Sequence, residues 1–590
     1  MHSKHCISKL LKLTSLVSLA LSASQIIADS DIEHLTKHTD KSNAPFFTNR
    51  IDLLNPSYEI KGFSFMPGAA AIDFDNDGYE DIYLANGKGH PNALFRNIRG
   101  KGFKQIPSNT GLADEGQTTG IAVGDLNNDG YDDIYVGNGS TVGDGLDTND
   151  GMDRIYISNG NGTFTDITAS SGINEPGFTT SIAMADYDKD GFLDIFIGRF
   201  VDFDFFNPQA NRTNPTKNAR LYRNNGDLTF TDVTEKAGLK VDHSHNTWAA
   251  VWFDYDNDGS IDLFIGHEQG PIEVYRNLGN GRFENLTESS GDLKLVGAWM
   301  GLAVGDFDND GDFDLFASNI SDVWGTTRDP KLPALVIPPP ETWDNPRNTL
   351  FINNGDGTFT DANKAVGLPD TIQFGWGTVS ADFNNDGWLD FYLAQNFSVV
   401  GIIGRERDGA GPGALFVNKG DGTFTDHSYV SGTKNIDASG NYLDGRGVLK
   451  ADFDNDGKID IFLVNSPQYE ELFPFGQTII PGTSTPKLFM NASAKSNGLV
   501  LNLTGTGKSN RNAIGAIVEV FTHDGDYQKH TVVGGGSAFS SSSRKVHIGL
   551  GKNKNARIVV SWPDGAIQEF KNVRSGHWNV IQGHKKMKKH

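Results

Sequence analysis

The chain has 590 residues, 69 of them glycine and 22 proline, with 37% hydrophobic content. This composition excludes collagen-like repeats and a dominant coiled coil, and a chain this long must divide its core or repeat it. Acidic residues outnumber basic ones 74 to 51, a net charge of −23 that lacks the clustered cations needed to grip phosphate backbones, so no nucleic acid partner is expected. The single cysteine, Cys6, excludes a disulfide framework and any cysteine-ligated zinc or iron–sulfur centre.

Lys4, Lys9 and Lys12 precede a short apolar run at 13–23, and small residues follow, with Ala23, Ser24 or Ala28 suited to cleavage. Residues 1–28 therefore read as a secretory signal peptide. The run is too short to cross a bilayer, so no integral membrane span is expected and the chain is read as secreted, or periplasmic or cell-surface. Cleavage takes three lysines and no acid from a net charge of −23, leaving −26.

One motif, D-x-[DN]-x-D-G-x-x-D, recurs seven times, and the repeat organises the chain. Its positions 1, 3, 5 and 9 carry side-chain oxygens and position 7 offers a backbone carbonyl, the alternate-position oxygen set that suits a hard cation of Ca²⁺ size, with glycine at the sharp turn. The expected ligand sets are Asp73, Asp75, Asp77, Tyr79 and Asp81; Asp125, Asn127, Asp129, Tyr131 and Asp133; Asp186, Asp188, Asp190, Phe192 and Asp194; Asp254, Asp256, Asp258, Ser260 and Asp262; Asp306, Asp308, Asp310, Asp312 and Asp314; Asp382, Asn384, Asp386, Trp388 and Asp390; and Asp452, Asp454, Asp456, Lys458 and Asp460. An EF-hand would need glutamate at position 12 and flanking helices. Position 12 here is Leu84, Val136, Ile197, Ile265, Ala317, Leu393 and Leu463, inside runs rich in β-branched and aromatic residues, so each loop is predicted to join two strands. Up to seven structural Ca²⁺ would bring the charge of −26 to −12 and relieve self-repulsion.

Between the loops lies a second element, Leu-Tyr-Arg-Asn-Asn-Gly-Asp-Leu-Thr-Phe-Thr-Asp from Leu221 and Leu-Phe-Ile-Asn-Asn-Gly-Asp-Gly-Thr-Phe-Thr-Asp from Leu350, with relatives at Ile155, Val274 and Leu415. Asn-Gly and Asp-Gly between apolar runs signal hairpins. Each unit thus holds four strands, the content of a propeller blade. The last copy, Leu-Phe-Met-Asn from Leu488, lacks its second arm, and Ala-Pro-Phe-Phe-Thr-Asn from Ala44 supplies it. The expectation is an all-β, seven-bladed β-propeller over 30–492, closed by its first strand.

These residues resemble a known family. The Asp-Phe-Asp-Asn-Asp-Gly loops with Leu-Phe-x-Asn strands look like the FG-GAP or VCBS repeats of integrin-α-like propellers. The segments Ser-Asn-Arg-Asn-Ala-Ile-Gly-Ala from Ser509, Val-His-Ile-Gly-Leu-Gly from Val546 and Val-Ser-Trp-Pro-Asp-Gly from Val560 look like the ASPIC/UnbV domain. Together they are similar to the cartilage acidic protein family, over nearly the whole mature chain. The resemblance implies a secreted calcium-binding propeller with an appended small β domain. Its UnbV half carries an enzymatic alternative, since some bacterial relatives are associated with enediyne biosynthesis.

Alternating apolar positions at 499–503, 517–521 and 557–561, with turns at Asp524-Gly525 and Pro563-Asp564-Gly565, predict a small β-sandwich or barrel over 493–583. Arg511, His547 and Trp562 are candidates there for a binding surface, and 584–590 reads as a basic, solvated tail.

Five long insertions, 138–153, 199–219, 318–347, 396–413 and 465–485, fall on the connections opposite the acidic loops. Long loops on a rigid scaffold are where binding usually resides, which points to recognition of an extracellular or periplasmic protein or glycan. The same side gathers His243, His245, Glu268 and Arg446, the catalytic candidates if the alternative holds, an enzyme acting on a small organic substrate at the channel mouth. No nucleophile motif or phosphate loop accompanies them, and a binding protein is the reading preferred.

Overall fold

The computed structural model describes residues 44–590 apart from 56–57, 63–65, 113, 140–150, 174–175, 201–218, 241–245, 321–346, 369–374, 396–412, 441 and 468–483. The signal peptide expected at 1–28, His243 and His245, and most of the five insertions lie outside the described residues.

Every acidic loop joins two antiparallel strands, as the β-branched and aromatic runs around it require. In the first unit Ala69–Ile72 enters the loop, Asp81–Leu84 leaves it, and Ala93–Asn97 and Phe103–Gln105 complete the sheet. The order repeats from Gln117–Gly124, Phe178–Ala185, Asn246–Phe253, Gly297–Gly305, Gly375–Ala381 and Asp444–Ala451. Among the described residues this makes seven antiparallel sets of four, the fourth and fifth also bridged where Glu268 faces Ala298. The last set takes its outer strand from the N-terminal segment: Phe47–Asn49 pairs with Lys487–Asn491, Phe47 opposite Asn491. The first strands pack on one another in cyclic order, Asp444–Ala451 returning to Ala69–Ile72. The result is an all-β propeller with no free edge at the closure.

An asparagine at the end of the third strand sews six of the seven sheets to the one before. Asn277 Nδ2 donates to the Tyr187 carbonyl at 2.8 Å and the Ile261 carbonyl at 3.1 Å, and Asn97, Asn224, Asn353, Asn418 and Asn491 make the equivalent cross-sheet bond. The second unit has Ser158 there. Because the carbonyls are buried, Asn277→Ala is expected to lower stability by about 1–3 kcal/mol, measured as a shift of the urea midpoint at unchanged slope; no shift would mean the stitch adds nothing.

The C-terminal segment forms two four-stranded sheets. One orders Val546–Gly551, Asn497–Thr504, Gly576–Ile581 and Lys588–Lys589; the other orders Tyr527–Thr531, Ile517–Thr522, Asn555–Ser561 and Ile567–Arg574. Leu499, Leu501, Val518, Val520, Ile558 and Val560 belong to the apolar core that joins them. Two expectations change here. Trp562 is 3% exposed, a core residue rather than a binding surface, and the basic run at the C-terminus contributes a strand, with Lys589 opposite Trp578.

The connection at 532–545 leaves this sandwich and enters the ring on its axis. Gly534–Gly535 pairs with Val251 and Trp252. Leu302 N–H donates to the Gly536 carbonyl at 2.9 Å, Ile121 N–H to that of Phe539 at 3.2 Å, Ala71 N–H to that of Ser541 at 2.9 Å, and Ser543 N–H to that of Lys450 at 3.0 Å. The approach is close enough to need glycine: a Cβ on Gly68 would fall 1.8 Å from the Phe539 carbonyl oxygen, and one on Gly534 1.9 Å from that of Met184. At the tip, Ala538 and Phe539 pack with Met66, Trp248, Met300 and Trp376. Small residues along the first strands, such as Ala-Ala-Ala-Ile at 69–72, leave the room. The axis, expected to be an open channel beside an appended domain, is instead filled by that domain's own loop.

Candidate functional site

The seven acidic loops share one backbone conformation. The position-6 glycines hold φ between 83° and 98°, and Asn76, Asn128, Lys189, Asn257, Asn309, Asn385 and Asn455 at position 4 hold φ between 53° and 59°, a left-handed region that asparagine tolerates better than most residues. The position-1 aspartate accepts two backbone N–H bonds, as Asp73 does from Asp77 and Gly78, both at 3.0 Å, and Asp125, Asp186, Asp254, Asp306, Asp382 and Asp452 repeat this. Each position-5 aspartate accepts the position-7 N–H: Tyr79, Tyr131, Phe192, Ser260, Asp312, Trp388 and Lys458 donate to Asp77, Asp129, Asp190, Asp258, Asp310, Asp386 and Asp456. The position-9 aspartate ties the loop to the sheet; Asp81 accepts from Phe74 at 3.2 Å and from Asn97 at 2.6 Å.

These bonds aim the carboxylates at a common point. Ligand oxygens lie within 4.8 Å of one another in Asp73, Asp75 and Asp81; Asp186, Asp188 and Asp194; Asp254, Asp256 and Asp262; Asp306, Asp308 and Asp314; and Asp452, Asp454 and Asp460. In the remaining loops Asn127 and Asn384 stand at position 3, donating to Asp129 at 3.0 Å and Asp386 at 2.8 Å. Burial, with neighbouring carboxylates adding to it, pushes the acids up: Asp73, Asp186, Asp306 and Asp452 to about 7, Asp133 to about 8, Asp81 to about 9, and Asp194, Asp262, Asp314, Asp390 and Asp460 well above the usual range. The Oδ1 atoms of Asp75 and Asp188 are buried without a hydrogen-bond donor. An all-oxygen donor set with orphaned carboxylate oxygens fits a hard divalent cation and suits neither a soft nor a redox metal.

Sequence reading missed three groups of residues here. Arg96, Arg223 and Arg276, on the third strands, reach into their loops, at 2.5 Å from Asp75, 2.6 Å from Asp188 and 2.7 Å from Asp256. The position-4 residues link neighbouring loops, Asn76 donating to the Gly130 carbonyl, Asn128 to Gly191, Asn309 to Gly387, Asn385 to Gly457 and Asn455 to Gly78, at 2.8–3.2 Å; asparagine at that position in six of seven loops was the available signal. The C-terminal domain sets its cations over the same face: Arg511 is 3.6 Å from Asp125, Arg544 2.6 Å from Asp132, and Lys545 donates to the Gly78 carbonyl at 2.9 Å. Arg511, a candidate for an open binding surface, is thus engaged within the molecule.

Of the four catalytic candidates, Glu268 and Arg446 are described. Glu268 accepts from Asn246 at 3.0 Å and from the Trp248 indole at 3.2 Å, and burial raises its pKa. Arg446 is 2% exposed, lies 3.0 Å from Asp444, and stacks 4.1 Å over the Trp376 ring. Both flank the Trp248–Trp376 pair against which Phe539 rests.

The loops and sheets define an FG-GAP-repeat propeller protein. The FG-GAP-like repeat family matches residues 73–136, 143–197, 210–265, 254–317 and 335–393, and the ASPIC and UnbV family matches 505–587. Cartilage acidic protein 1 of Xenopus tropicalis is 24% identical over 559 residues, 91% of this chain and 76% of that protein; the Homo sapiens protein is 22% identical over 93% and 76%. Among solved structures, the exotype rhamnogalacturonan lyase YesX aligns at 12% identity over 88% of this chain and 92% of that one, with a TM-score of 0.32. The chain is thus built of FG-GAP-like repeats followed by an ASPIC/UnbV domain, and is similar along most of its length to the cartilage acidic proteins.

Proposed function

We propose that this chain is an exported calcium-binding propeller, with residues 1–28 directing export, that recognises an extracellular or periplasmic protein or glycan through the face opposite its acidic loops. One observation carries the choice of face: the C-terminal domain lies over the acidic loops and sends 532–545 down the axis, so neither that face nor a channel is free for a partner. At the far ends of the strands, Gly139, Phe200, Asn319, Gln395 and Ser466 are where the long connections depart. The calcium ligands would be the Asp and Asn side chains at positions 1, 3, 5 and 9 of each loop with the position-7 carbonyl, and the ions would replace protons on carboxyls that burial otherwise keeps protonated. Among the described residues no helix is long and apolar enough to cross a membrane, and the secreted reading rests with the signal peptide and the family.

The test replaces 321–346 or 396–412 with short Gly-Ser linkers and compares binding to extracellular-protein and glycan arrays. The expected result is an unchanged melting temperature with binding lost. Binding retained in both variants but abolished by changes on the outer surface of the C-terminal domain would move the site away from this face. The enzymatic alternative has less support, because Glu268 and Arg446 are engaged with Trp248, Asn246, Asp444 and Trp376.

A further inference from the structure

Between the first strands and the axial loop lies a cavity of about 130 Å³. Its wall carries Lys450, Lys529, His530, Arg544, Lys545 and His547 and not one Asp or Glu, in a chain whose net charge is −23. Three of the cations are answered from outside the cavity: Arg544 by Asp132 at 2.6 Å, Lys545 by Glu80 at 3.4 Å, and Lys529 by the nearby carboxylates of Asp254, Asp312, Asp306 and Glu519. Lys450 is not. Its ammonium donates to the Ser380 carbonyl, and no carboxylate among the described residues pairs with it. His547 beside it has both ring nitrogens buried without a partner, an unusual state for a buried polar side chain. Burial and then the neighbouring Lys450, Lys545, His577 and His530 hold that imidazole neutral. The rest of the wall is mixed: aliphatic side chains such as Val123, Ile182, Met184, Val251, Leu302 and Val379 form one part, and serine and threonine residues, including 540–543, form another.

We propose that this axial cavity binds a small organic monoanion, a carboxylate held by the Lys450 ammonium and a ring N–H of His547, with its apolar body against the aliphatic wall. One uncompensated cation matches one negative charge, and a phosphate dianion would bring into the buried cavity a second charge that no uncompensated cation answers, which is costly. A cavity of about 150 Å³ with an aliphatic and aromatic lining accommodates a benzene-sized body, and this one is of similar size. The site lies where the ring and the C-terminal domain meet, so occupancy would tie the two together.

Isothermal titration of the full mature chain, with calcium present and benzoate as the probe, tests this. The expected result is one benzoate per chain, with affinity at least tenfold weaker in Lys450→Met and several-fold weaker in His547→Leu. Benzyl alcohol, the body without the charge, and inorganic phosphate, the charge without the body, should each bind at least tenfold more weakly than benzoate. No benzoate binding, phosphate binding as tight as benzoate, or an affinity unchanged in the variants would overturn it. Should Lys450→Met fail to fold, His547→Leu, which removes an imidazole with no protein partner, decides alone.

Discussion

Stripping calcium from the purified chain with a chelator is expected to lower its melting temperature sharply, and restoring calcium to return it. One site at a hundredfold excess over its dissociation constant contributes about 2.7 kcal/mol, so even two or three occupied loops would rival the whole stability of a typical domain, about 5–15 kcal/mol. The effect should depend on pH with a definite sign. Burial raises the folded-state pKa of Asp125 and Asp254 to about 6, of Asp73, Asp186, Asp306 and Asp452 to about 7, of Asp133 to about 8 and of Asp81 to about 9, against about 3.9 unfolded. A raised carboxyl binds its proton more tightly in the folded state, so its stabilisation is complete below pH ~4 and is lost as pH rises through the folded values. The metal-free chain should therefore weaken between about pH 5 and 9, and the calcium-dependent gain in melting temperature should widen across that window. Identical melting curves with and without chelator at pH 8 would contradict this.

The second large effect belongs to the axial loop. Phe539 is 2% exposed and lies 6.0 Å from Trp248 and 5.9 Å from Trp376, centroid to centroid. Phe539→Ala removes a large buried ring at a site walled by strands that cannot collapse onto it, and is expected to lower stability by about 3–5 kcal/mol. Chemical denaturation of the variant checks this. A loss below about 1 kcal/mol would mean that the loop tip occupies the ring without anchoring it. Because Ala69–Ile72, Gln117–Gly124 and Gly297–Gly305 all bond to the same loop, propeller and sandwich should melt together in the parent and separate into two transitions in Phe539→Ala.

The repeat was legible because its chemistry is local. A nine-residue loop with oxygen donors at fixed positions, flanked by Asp-Ile-Tyr-Leu or Asp-Ile-Phe-Ile, carries both its turn and its strands within a short window. The closure was legible for the same reason: the Leu-Phe-Met-Asn strand from Leu488 lacked an arm that 44–49 could supply, and Phe47 does face Asn491. The axial loop was not legible. Nothing within Gly-Gly-Gly-Ser-Ala-Phe-Ser at 534–540 distinguishes a flexible surface turn from an insertion, because its partners on the first strands are spread along the chain from Ala69 to Val448. Trp562 misled for a related reason, since alternation shows that a residue lies in a strand without showing which face is covered. The arginines at 96, 223 and 276 were visible in the Leu-Tyr-Arg-Asn pattern, yet only the fold brings the third strand beside the loop.

The charge of the acidic face is met from two directions. Arg511, Arg544 and Lys545 of the C-terminal domain and Arg96, Arg223 and Arg276 of the strands supply fixed cations. Five carboxylate clusters still converge within 4.8 Å, and the orphaned oxygens of Asp75 and Asp188 remain for a metal to satisfy. Elemental analysis of the purified chain after gel filtration in metal-free buffer tests that central claim most directly. The account predicts several calcium ions per chain, up to seven; less than one calcium per chain, from protein shown to be folded, would contradict it.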